Sequence, residues 1–270
     1  MGEYCSRCGE KRRVSHDFSV RHYLGEAIET FTHFDSKVLR TVWLLLSRPG
    51  LLSADYFAGR RIRYVSPLRL FLLLSVIYYL SNSVFPYNAF TTPLAVQLHL
   101  NDYYPSYAAA QVEKTLQRTG MHYAVLERGY NAKTAALSKT LVIALVPVFA
   151  VLFYVFLISK KRYFAEHLIV ATHFWPFALL LIGVFIPVLL LALARLGALM
   201  GAAPELMTAD SNPSIIIQVV FAAYLYVMFR RVYAVTRWYG GLLAVTVAWS
   251  FFHLVWLFRL LLFVVTLRSL

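Results

Sequence analysis

GLLAVTVAWSFFHLVWLFRLLLFVVT, Gly241–Thr266, runs for 26 residues with one formal charge, Arg259, and one histidine, His253. A helix lying at a water-facing surface would carry a polar stripe, and this stretch has none. About 20 apolar residues at helical rise cross the hydrocarbon layer of a bilayer. Inside that layer each backbone N–H and C=O must find its partner within the protein, which selects the α-helix for an isolated segment. The stretch therefore reads as a transmembrane span.

Four more runs of the same kind lie upstream: SIIIQVVFAAYLYVMF (Ser214–Phe229), LIVATHFWPFALLLIGVFIPVLLLALA (Leu168–Ala194), KTLVIALVPVFAVLFYVFLIS (Lys139–Ser159) and SPLRLFLLLSVIYYLSNSVF (Ser66–Phe85). Pro147, Pro176 and Pro187 are expected to kink the second and third of the five spans. The whole chain is 60% hydrophobic and 14% charged, whereas an ordinary globular domain is roughly 25% charged. The fold class expected is an all-α integral membrane protein with five transmembrane helices. A front segment, 1–65, precedes a transmembrane domain, 66–270, whose outer loop is 86–138. Within that loop YPSYAAAQVEKTLQRTG (Tyr104–Gly120) reads as a short helix after Pro105.

Lysine and arginine are retained on the cytoplasmic side of spans. Residues 1–65 hold eleven, KKRYFAEH (Lys160–His167) three and RRVYAVTRWYGG (Arg230–Gly241) three, against seven at the opposite end. Residues 1–36 contain no apolar run of the signal-peptide kind. The amino terminus is thus expected inside and the carboxyl terminus outside. The net charge of +13 flanks apolar spans, which points to anionic lipid headgroups as partners and away from nucleic acid.

Two amphipathic helices are expected before the first span. Asp17 is placed to cap one with apolar Val20, Tyr23, Leu24, Ala27, Ile28, Phe31 and Phe34 at helical spacing. The second follows Asp35, with Val38, Leu39, Val42, Trp43, Leu45 and Leu46 apolar, Lys37 and Arg40 basic, and a stop at Arg48-Pro49-Gly50. It is too short to span, and lies either in the membrane interface or on the protein's own cytoplasmic face. Gly59 marks a left-handed helix end. Arg60, Arg61, Arg63 and Arg69 then fall at the level of lipid phosphates, as lipid or anion contacts. General anchoring and a specific headgroup site are both open to them.

These residues also carry a resemblance. YCSRCGE (Tyr4–Glu10) followed by LLSRPGLLSADYFAGRRIRYVSPLRLFLLL (Leu45–Leu74) resembles a bacterial multi-pass membrane family, domain-of-unknown-function family 3667, with Arg48, Pro49, Gly50, Tyr56, Gly59, Arg61, Tyr64 and Pro67 at the matching positions. The resemblance implies a zinc-ribbon-type knuckle, a short polar helix and several spans in the bacterial cytoplasmic (inner) membrane, but no activity. Members often carry two knuckles, and YCSRCGE is similar to the second.

A structural zinc takes four ligands. Cys5 and Cys8 offer two thiolates, and His16 and His22 would complete the set. A metal-free remnant, half a zinc knuckle, is the leading reading; zinc shared by two chains and a redox dithiol are the others. The last is disfavoured by the reducing side of the membrane and by the lack of a βαβ pattern.

Within the spans the ionisable candidates are His173, His253 and Arg259. His253, beside Trp249 and Trp256, is expected to be buried and hydrogen-bonded. Arg259 needs a lipid phosphate, a carbonyl, water, or Glu205 or Asp210 as partner. No Asp or Glu lies in any span, which argues against ion-coupled transport. The leading function is a scaffold or adaptor without catalysis, meeting a cytoplasmic protein partner and anionic lipids through its front end. A permease or lipid-handling carrier using Arg259 and His253 is the first alternative. An intramembrane enzyme on lipid-linked phosphate is the second, and oligomerisation stays open.

Overall fold

The computed structural model describes residues 36–85, 89–99, 104–199 and 211–270. Among them five helices are long and apolar enough to cross a membrane. The first is α3 (Pro67–Val84). It is preceded by α1 (36–47) and α2 (Leu51–Phe57) and followed by the short α4 (Leu94–His99) and α5 (Pro105–Thr119). The second span consists of α6 (Tyr123–Leu141) and α7 (Leu145–Phe156), the third of α8 (Phe164–Leu180) and α9 (Ile186–Leu199). The fourth and fifth are α10 (Ser211–Tyr233) and α11 (Arg237–Arg268).

The five helices fall on the five runs expected from sequence. The second begins earlier than its apolar run, so α4, α5 and most of α6 occupy the expected outer loop. Leu126, Tyr130, Thr134 and Ser138 are the buried residues of α6, and their spacing of four puts them on one face. The Thr134 hydroxyl meets that of Thr266 on α11 at 3.1 Å. A hydropathy scan does not see such a helix, because Glu127, Arg128, Lys133 and Lys139 lie off its buried face and lower the average.

Two spans change helical pitch, and each change lies four residues before a proline. Val142–Ala144 forms a tight 3₁₀ turn ahead of Pro147, and Leu181–Phe185 a wide π turn ahead of Pro187. A proline lacks the N–H that would bond the carbonyl four residues back, and its ring presses on that carbonyl. The backbone takes another pitch there. In the π turn, a Cβ on Gly183 would collide with the ring of Tyr78. Glycine at this position lets α3 seat against the third span.

The core between the spans is built from aromatic rings. Phe149, Phe174, Trp175, Phe221 and Phe251 are all buried, with Phe221 and Phe251 edge to face at 4.6 Å. Lipid tails are as apolar as these rings, so close packing rather than water exclusion holds such helices together. On α3, Leu72, Val76 and Leu80 are exposed at helical spacing, which gives that helix a face for acyl chains.

One end of the bundle gathers the connections 58–66, 157–163 and 234–236. The Lys160 ammonium donates to the Ala234 carbonyl at 3.2 Å and the Arg162 guanidinium to that of Val232 at 2.9 Å. The front helices are fastened to the same end. Tyr224 of α10 donates to the Leu45 carbonyl at 3.0 Å, and Arg231 to that of Pro49 at 2.6 Å. Between these contacts Gly50 has φ +76°, and a Cβ on it would stand 3.0 Å from the Cα of Met228. Only glycine allows both the left-handed turn and that approach.

Candidate functional site: the basic collar

The site is assembled at this end from α1, α2, the 58–66 connection and the starts of α3 and α8. Thr41 of α1 accepts the Val65 N–H at 3.2 Å, which fixes the connection just before the first span. Asp55 is almost fully buried at the end of α2. Its Oδ1 takes Arg60 at 2.5 Å and its Oδ2 the Tyr64 hydroxyl at 2.6 Å. Burial alone would push the Asp55 carboxyl up, but the bonds from Arg60 and Tyr64 and the charges of Arg60 and Arg63 outweigh it and hold its pKa below the ordinary 3.8. The same carboxylate raises the pKa of the Tyr64 hydroxyl, since an ionised phenolate beside it would be repelled.

Glu166 is engaged in the same way. It takes the Arg162 guanidinium at 2.8 Å and the Tyr163 N–H at 3.0 Å. Among the described residues of this end, both carboxylates are therefore committed, and the other basic side chains keep their charge.

Three of those cations line one cavity of about 330 Å³: Lys37 from α1, Arg61 from the connection and Arg69 from the first turn of α3. Arg61 lies over the ring of Tyr56 at 4.3 Å, and its Nε donates to the Tyr56 carbonyl at 3.3 Å. His173, 5% exposed, lines the cavity from α8, with its Nδ1 2.9 Å from the Ser53 hydroxyl. A second cavity of about 630 Å³ shares Tyr56 and Ser66 with the first, and continues between α3, α7 and α8 over Leu68, Phe71, Val146 and Ile169.

The expected residues divide as follows. Of the four arginines, Arg61 and Arg69 line the polar cavity, Arg60 is paired with Asp55, and Arg63 is exposed without lining the cavity. His173 joins this site. Arg259 lies at the opposite end, where its Nε donates to the Ala89 carbonyl at 2.8 Å. His253 departs from expectation: it is exposed, its Nδ1 3.1 Å from the carbonyl of Trp249 one turn back. Its ring lies 3.9 Å from that of Trp249. The apolar surround of α11 on every side concealed which face points outward. Cys5, Cys8, His16 and His22, and the first amphipathic helix, fall outside the described residues. Sequence reading missed the Ser53–His173 pair and the Asp55 carboxylate that takes Arg60. The Tyr56 and Tyr64 positions, already marked by the resemblance, were the available signal.

Residues 35–79 match a family described as a protein of unknown function, DUF3667. Every side chain lining the polar cavity except His173 lies inside that match. Comparison with curated proteins and with solved structures gives no match.

Proposed function

We propose that this is a multi-pass protein of the bacterial cytoplasmic membrane, amino terminus inside, that works without catalysis as a scaffold. Its front end meets anionic lipid headgroups and a cytoplasmic protein partner. The observation that carries this reading is the fastening of α1 and α2 to the spans at Leu45, Pro49 and Ser53, which presents uncancelled cations as a rigid face. Large apolar side chains surround that face. Trp238 and Ile62 are 92% and 90% exposed, as suits residues at the headgroup boundary. The three ionisable candidates of the spans each have a bond within the protein: His173 with Ser53, Arg259 with a carbonyl and His253 with its own helix. Structural roles for them fit the non-catalytic reading better than a carrier path through Arg259 and His253.

In this reading Cys5 and Cys8, with His16 and His22, form a zinc-holding recognition module ahead of α1. Elemental analysis of the purified full chain, together with photo-crosslinking from position 62 in cells, tests it. The proposal expects bound zinc and a discrete protein adduct, both lost in the Cys5→Ser/Cys8→Ser double variant and both kept in Arg259→Ala. Adducts with lipid alone, and no zinc in either protein, would overturn the scaffold reading.

A further inference from the structure

We infer that the collar holds one anionic phospholipid in a built site, its phosphate among Lys37, Arg61 and Arg69 and one acyl chain in the adjoining groove. The inference rests on the reading that this end lies in the headgroup layer.

The two cavities, about 330 and 630 Å³, fall within the roughly 300–1,000 Å³ of ordinary ligand sites. They differ in chemistry and touch along Tyr56 and Ser66. The first has three cations on its wall and no carboxylate. The second is lined by side chains such as Leu68, Phe71 and Ile169, and opens between membrane-spanning helices. A charged head joined to a long apolar tail fits that juxtaposition. A soluble phosphate would leave the groove empty.

The cations are positioned rather than merely nearby. Arg61 is held over the Tyr56 ring and by its Nε on the Tyr56 carbonyl, which leaves its two terminal amino groups for two oxygens of a phosphate. Asp55, the carboxylate that could compete, is occupied by Arg60 and Tyr64. The Ser53 hydroxyl lies 2.9 Å from His173 Nδ1, so Ser53 and the buried histidine hold each other at the cavity wall. Arg69 stands in the first turn of α3, whose N-cap makes no side-chain hydrogen bond, and the helix dipole adds to its charge. A zwitterionic lipid would set its ammonium against the same three cations, so the site discriminates by repulsion as well as attraction.

The test is native mass spectrometry of the full chain titrated with phosphatidylglycerol and with phosphatidylcholine of the same acyl chains. We expect one phosphatidylglycerol per chain, held in preference to phosphatidylcholine. Binding should weaken roughly fivefold in Lys37→Gln and in Arg69→Gln, the loss expected for one surface charge. Ile169→Trp, which fills the groove without touching a charge, should weaken it too, and Lys161→Gln, at the same end but off the cavity, should leave it unchanged.

Equal weakening by Lys161→Gln would mean diffuse attraction, overturning the site while leaving the collar reading intact. No preference between the two lipids would overturn both. Displacement by inorganic phosphate at constant ionic strength, with Ile169→Trp indifferent, would replace the lipid by a soluble phosphorylated ligand. Binding that appears only after residues 1–35 are removed by proteolysis would show the chain's own front segment to be the occupant.

Discussion

Asp55 decides which collar cations stay available. Each of its oxygens has a partner, Arg60 on one and Tyr64 on the other, so its charge is spent locally and the cavity cations are not neutralised by it. A hydrogen bond to a charged group contributes about 1.5–3 kcal/mol. Tyr64→Phe removes one such bond and should lower thermal stability in detergent at pH 7 by an amount in that range. The sign with pH follows from the depressed pKa. The bond is fully present above 3.8, the ordinary carboxylate value, and is lost as pH falls through the lower folded value. Melting curves of wild type and Tyr64→Phe should therefore converge on acidification; a gap that stays constant to low pH would show that Asp55 is not the acceptor. At this scale the position of Arg61 and Arg69 beside the first apolar run was legible, and their sharing of one cavity was not. Nor was the capture of Arg60, since it depends on the turn beyond α2, where Gly59 takes φ +79°.

The Arg48-Pro49-Gly50 turn joins front end to spans, and two glycines separate its backbone role from its packing role. Gly50 and Gly59 both have positive φ, but a Cβ on Gly50 meets the backbone of Met228 whereas one on Gly59 meets nothing within 4 Å. Alanine at either costs about 1–2 kcal/mol of left-handed strain. At Gly50 the overpacking of α10 adds about 1–3 kcal/mol. Gly50→Ala should thus unfold at clearly lower temperature than Gly59→Ala and free α1 to protease. Equal effects would mean that the turn does not bear on α10. The spans were legible as elements because a hydrophobic run declares its own length. Their rotation was not: α11 is apolar all round and carries no sequence signal for its inner face, so the exposure of His253 was not legible. The pattern of α1 left two readings open; Tyr224 and Arg231, far away in sequence, bond to its end and the following turn, while Leu39 and Trp43 of the same helix stay exposed.

At the scale of the molecule, an odd number of spans sets the collar and the carboxyl terminus at opposite faces. The collar end holds the front helices and the connections rich in Lys and Arg, and the other end holds α4 and α5. That the collar faces the cytoplasm is our proposal from the charge distribution, and the scaffold, the zinc module and the lipid site all depend on it. The most direct measurement is accessibility of single cysteines in intact cells, in a background with Cys5 and Cys8 replaced by serine. Ile62→Cys reports the collar and Met121→Cys the opposite end; both positions are exposed. A membrane-impermeant maleimide should label Met121→Cys from outside, and Ile62→Cys only after the membrane is opened. Labelling of Ile62→Cys in sealed cells, with Met121→Cys protected, would invert the molecule and contradict the account.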